Sequence, residues 1–103
     1  MNPALERAIQ YRVERAQIRR ALSDRRSPLV GEILRDPPRC VHTLTVEKFL
    51  RWLPRVGEKS AAAMMGAAGV TEWTTLGSAT DRQRKAVLAV LQTRRARTPR
   101  ARL

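Results

Sequence analysis

The apolar positions of the first quarter of the chain fall into two helical seams. At about 100° per residue, Leu5, Ile9, Val13 and Ala16 share one side, and Tyr11, Ile18 and Leu22 share another. From Ala4 to Arg26 there is no glycine or proline, and Asn2-Pro3 supplies a cap and a first turn. The pattern predicts a long helix from Ala4 to Arg26, filling a first segment, 1–26. Ser27-Pro28 then opens a short helix through Leu34 or Arg35, which Asp36-Pro37-Pro38 stops. The stretch Val41 to Val46 alternates only weakly, which admits a short strand. An extended linker that delivers Thr45 as the next cap fits it better.

Val46, Phe49, Leu50 and Leu53 make one face of a helix that Pro54 ends. A further helix begins near Glu58 and continues to about Ala67, with Gly69 as its left-handed stop. No charge occurs from Ser60 to Thr71, so this helix is expected to be central and buried. A loop or single turn holding Trp73 and Leu76 leads to Thr80-Asp81-Arg82-Gln83. These four residues form a capping box with Thr80 as cap and Gln83 three residues on. Val87, Leu88 and Leu91 make the packing face of that last helix. The expected class is all-α: the long helix of 1–26, a helical domain over 27–92, and a disordered basic tail over 93–103.

Charge changes what these helices are for. The chain of 103 residues carries 21 Lys+Arg against 9 Asp+Glu, a formal net charge of +12, and 18 of the 21 are arginine. Guanidinium favours bidentate contact with phosphate or carboxylate, so the expected partner is a polyanion. On the first helix Arg12, Arg15, Arg19 and Arg26 fall within roughly 60° of arc, with Glu6, Glu14 and Asp24 on the far side. That is a basic ridge; the alternative is a solvated face steadied by i,i+4 pairs. Five arginines, from Arg94 to Arg102, belong to the tail. No uncharged apolar run reaches the length of a membrane span, and Met1 to Gln10 does not read as a signal peptide, so a cytoplasmic location is expected.

The most informative stretch runs from Phe49 to Met65, where a proline-stopped helix meets a second helix through a tight turn. The first amides of that second helix have no intrahelical acceptor and sit at the positive end of its dipole. Gly57 lacks a Cβ, so a phosphate can come close to those amides; Arg55, Lys59 and Ser60 lie beside them and Val56 anchors the turn beneath. Glu58 suits a helix start but opposes a phosphate there. At the start of the last helix Arg82 and Lys85 point away from the Val87/Leu88/Leu91 face, whereas Arg84 falls towards it and could serve a neighbouring loop instead. Trp52 and Trp73 could stack on bases, although a core role is commoner for tryptophan.

The segment resembles a helix-hairpin-helix, whose turn reads Leu-Pro-Gly-Val-Gly with alanine four residues on. Leu53, Pro54, Val56, Gly57 and Ala61 match, and Arg55 replaces the first glycine. From Leu5 to Leu91 the order of elements, with Asp81-Arg82-Gln83-Arg84-Lys85-Ala86 opening the last helix, is similar to the actinobacterial (mycobacterial-type) integration host factor family. That resemblance implies an all-helical, helix-two-turns-helix-like fold and a nucleoid-associated protein that bends duplex DNA. It also implies assistance to a phage integrase in site-specific recombination; no cofactor and a monomer in solution are expected. The DNA contacts expected from the residues themselves are Arg55, Val56, Gly57, Lys59, Ser60, Arg82, Arg84 and Lys85, with Arg12, Arg15 and Arg19 on the first helix. Where the family carries arginines before its last helix this chain has Thr74, Thr75 and Gly77, whose hydroxyls could still reach phosphate. The small size and this departure fit a phage-encoded relative as well as a bacterial one.

Catalysis finds little support. Cys40 and His42 are the only thiol and imidazole, which makes neither a zinc site nor a nucleophile pair. Asp81, the acid a base-excision enzyme would need, is accounted for by the capping box, and no enzyme is expected. Two other readings remain: a structured-RNA or ribosome-binding protein, and a protein-interaction adaptor.

Overall fold

The structure is a computed structural model, and it describes residues 2–23 and 28–97. Five α-helices follow one another: α1 (Pro3–Leu22), α2 (Leu29–Arg35), α3 (Val46–Arg51), α4 (Glu58–Ala68) and α5 (Asp81–Arg97). A 3-10 turn, Arg39–Val41, lies between α2 and α3. Among the described residues there is no strand, and no helix is long and apolar enough to cross a membrane. The chain is all-α.

Local chemistry explains most boundaries. Asn2 caps α1 through its side-chain oxygen, which accepts from the Ala4 amide at 2.9 Å. Thr45 does the same for α3, accepting from Lys48 at 3.2 Å. The capping box of α5 closes in both directions: the Gln83 amide donates to the Thr80 hydroxyl at 3.1 Å, and the Thr80 amide donates to the Gln83 side chain at 3.0 Å. Gly69 ends α4 in the left-handed region, φ 73°.

Two helix ends differ from expectation. α1 stops at Leu22, not Arg26, because both the amide and the hydroxyl of Ser23 turn back to the Arg20 carbonyl, at 3.2 and 2.7 Å. Arg26 lies outside the described residues, as does Ser27, and Pro28 takes the N-cap position of α2 without a side-chain cap. α5 continues to Arg97, through the first part of the expected tail. Arginine and alanine are good helix formers, and the first breaker after Lys85 is Pro99. Residues 98–103 lie outside the described residues.

Phe49, Leu50, Ile33, Leu34, Leu22, Val41, Leu76 and Val87 are fully buried and define the core. α5 packs on α4 and α2, α3 packs on α4, and α1 rests on the 3-10 turn and α2. Of the two seams on α1, Tyr11, Ile18 and Leu22 turn inward. Leu5, Ile9 and Val13 lie on the opposite side and stay about half exposed. α4 is likewise two-faced. Ala61, Met64, Met65 and Ala68 are buried, but Ala62, Ala63, Gly66 and Ala67 face outward. Lack of charge did not imply burial there, since an alanine has little apolar area to gain by it.

The linker ahead of α3 is not extended throughout as expected: it holds the 3-10 turn Arg39–Val41, and the Leu44 amide turns back to the Val41 carbonyl at 3.1 Å. Thr45 reaches the cap of α3 in extended form, and the segment also has a partner. The Val46 amide donates to the Thr74 carbonyl at 2.9 Å, Leu76 to Leu44 at 2.9 Å, and Gly77 to His42 at 3.0 Å. This pairing sews residues 42–46 to 74–77, with Thr45 and Thr75 forming an antiparallel bridge. At Gly77 the approach is so close that a Cβ would stand 2.9 Å from both the His42 carbonyl oxygen and its Cβ. The Gly77→Ala variant is expected to lose about 1–3 kcal/mol of stability by overpacking, read as a lower urea midpoint at unchanged helix content.

Candidate nucleic-acid interface

The turn between α3 and α4 places the residues the sequence singled out. Trp52 closes α3, the Val56 amide donates to the Leu53 carbonyl at 3.3 Å, and Gly57 occupies the N-cap of α4. Val56 is half-buried against the core, so the turn is anchored from beneath. Gly57 is extended, at φ −94° and ψ −171°, and supplies no capping side chain. A Cβ built on it meets nothing within 4 Å, so the space beside the first amides of α4 is open. Arg55, Glu58 and Lys59 are exposed around it and Ser60 is half-buried. An anion could meet backbone N–H groups there with two cations alongside and one carboxylate opposed.

Arg55 carries a feature not legible in composition: its φ is 63°, in the left-handed region. A side chain there is strained by roughly 1–2 kcal/mol, which is the physical reason glycine suits this place in such a turn.

α1 contributes a second surface. Arg15, Ala16, Arg19, Arg20 and Ser23 line a groove of 560 Å³ whose other wall is Trp52. The groove therefore joins the ridge of α1 to the turn before α4. Arg19 and Arg20 are exposed in it. Arg15 is not a free contact: its Nε donates to the Cys40 carbonyl and its Nη2 to the Thr43 hydroxyl, the latter at 2.6 Å. Arg12 is exposed further along the same helix. Arg20 escaped the sequence reading because it shares the side of Leu5, Ile9 and Val13, a side expected to be packed.

The start of α5 makes a third surface, and it is not next to the turn. Gln83 donates to the Gly69 carbonyl at 3.4 Å, which sets Arg82 and Lys85 at the C-terminal end of α4. Eleven residues of helix, about 16 Å, separate that end from Gly57. Arg82 and Lys85 are exposed. Arg84 is not available. Its Nη1 donates to the Leu34 and Arg35 carbonyls, both at 3.3 Å, and its Nη2 pairs with Asp81. A cation against the last carbonyls of α2 satisfies orphan acceptors and opposes the negative end of that helix dipole.

Thr74 and Thr75 are also taken up by the fold. The Thr74 hydroxyl accepts from the Thr71 amide at 3.2 Å and lies 3.0 Å from the Thr71 hydroxyl. The Thr75 hydroxyl donates to Ser78 Oγ at 3.0 Å and accepts from the Ser78 amide at 3.1 Å. Both shape the loop before α5; neither presents an unused donor pair to a phosphate.

Cys40 and His42 face apart. Cys40 is buried, and burial together with Glu14 pushes its thiol above its ordinary value, with Arg15 opposing. His42 is exposed and its Nε2 meets the Pro37 carbonyl at 2.7 Å. Among the described residues no group of three or more metal-ligating side chains occurs. No protein-family model, curated protein or solved structure matches the chain. The Arg55→Gly variant is expected to be more stable by about 0.5–1 kcal/mol, since relief of left-handed strain exceeds the added freedom of the unfolded chain; a guanidinium denaturation curve checks this.

Proposed function

We propose that the chain is a non-enzymatic, architectural protein that grips the backbone of duplex DNA with little sequence preference. The observation that carries this reading is the state of its cations. Among the described residues Arg84–Asp81 is the single ion pair, while Arg12, Arg19, Arg20, Arg55, Lys59, Arg82 and Lys85 are exposed. Cations left outward on a chain of net charge +12 repel one another until a polyanion draws them together.

The distribution supports a long, regular polyanion over a compact one. Gly57 and Arg82 stand at opposite ends of α4, about 16 Å apart, or roughly half of one duplex turn. The groove between α1 and Trp52 adds Arg19 and Arg20 to the surface. On this reading the α3–α4 turn acts as a helix-hairpin-helix: its amides hold a phosphate, the arginines of α1 follow the backbone, and Arg82 with Lys85 takes a further contact. Contacts at points so far apart favour bent DNA, because bending brings more backbone onto the protein. The resemblance to the actinobacterial integration host factor family extends the proposal to nucleoid association and to assistance of a phage integrase.

The Gly57→Glu variant tests the turn. The conformation at Gly57 is open to any residue and nothing stands where the side chain would begin, so the fold should be unchanged by circular dichroism. Affinity for a random-sequence duplex in a gel shift is expected to fall about 10- to 100-fold, the loss of charged hydrogen bonds at the amides. Unchanged binding would remove the turn from the site. Equal competition by double-stranded RNA of the same length would reassign the surface to nucleic acid in general.

A further inference from the structure

We infer that Trp73 is a base-stacking contact, inserted where the duplex is locally unstacked; this rests on the nucleic-acid reading above and adds to it a contact with the bases. Trp73 is 80% exposed, far more than any other large apolar side chain described. A tryptophan has more to gain from burial than any other residue, and this one is held out of the core by its own loop. The Trp73 amide donates to the Thr71 hydroxyl at 3.3 Å, and the Thr74 amide donates to the Thr71 carbonyl at 3.1 Å. One residue on, the Thr74 carbonyl is fixed by the Val46 amide at 2.9 Å. The backbone on both sides of the indole is therefore pinned, leaving two side-chain torsions to order on contact.

The surroundings favour a base over a protein. Protein hot spots sit within a contiguous apolar patch that excludes water. The other exposed large apolar residues, Leu5, Ile9 and Val13, are on α1, 60 or more residues earlier in the chain, and α1 packs against the 3-10 turn and α2. Trp73 is an exposed π-face that does not pack against the core. Glu72 beside it disfavours a phosphate at that spot, which suits a contact made to a base and not to the backbone. The same loop delivers α5, whose Arg82 and Lys85 can hold the flanking phosphates. A wedge of this kind unstacks a base step and kinks the duplex, most easily at a flexible or mismatched step.

The test uses the full chain, a random duplex and the same duplex with one central mismatch. W73A is expected to bind both about 5- to 150-fold more weakly than the wild type, with W73F retaining most of the affinity. Its melting temperature and its salt slope should equal those of the wild type, because the lost contact is neither in the core nor ionic. The wild type should prefer the mismatched duplex and W73A should not. In a W52F background, saturating duplex should quench the remaining indole. Equal binding by wild type and W73A, or an indole emission unmoved at saturation, overturns the inference and leaves the backbone reading standing. Failure of the wild type to bind either duplex overturns the backbone reading itself.

Discussion

One guanidinium supplies a polar tie between α1 and the rest of the fold. Arg15 donates to the Cys40 carbonyl and the Thr43 hydroxyl, and so ties α1 to the segment between α2 and α3. The first nine residues described, Asn2 to Gln10, are all exposed, so nothing in that half of the helix fixes its direction. Without Arg15 the hold is left to Tyr11, Ile18 and Leu22. Arg15 also lines the groove between α1 and Trp52, together with Arg19 and Arg20. Arg84 plays the corresponding part at the other end, where it fastens α5 to the last carbonyls of α2. Two arginines thus work inward on backbone oxygens, whereas Arg7, Arg12, Arg19, Arg20, Arg35, Arg39, Arg51, Arg55 and Arg82 are exposed.

That division has an energetic consequence. A small core must hold together a chain of net charge +12, and self-repulsion works against it. Any polyanion that binds the folded surface relieves the repulsion and stabilises the fold by mass action. On the proposed function, folding and binding would be coupled through the same cations.

The helices and their caps were legible because capping is local. Thr45, Gly69 and the Thr80–Gln83 box act within four residues of themselves, and each stands where its sequence context placed it. What required tertiary partners was not legible. Periodicity gave α1 two seams of similar strength and could not say that Tyr11, Ile18 and Leu22 would find the core while Leu5, Ile9 and Val13 would not. The uncharged face of α4 read as buried because the rule counts charges, whereas alanine is nearly indifferent to exposure. Among the candidate contacts, Arg82 and Lys85 stayed outward, as their angle on the helix implied. Arg15 and Arg84 were drawn in by carbonyls 25 and about 50 residues away, which no spacing rule reaches. Trp73 read as core from its type, and only the pinned loop explains its exposure. Gly77 followed the same logic in reverse: its place is set by a backbone 35 residues earlier, at His42.

The proposed DNA binding stands on outward cations meeting phosphates, and the salt dependence of duplex binding measures that directly. With about six to ten phosphates engaged, log affinity should fall against log salt with a slope between about −5 and −9. A flat response, or affinity that survives at high salt undiminished, would contradict it.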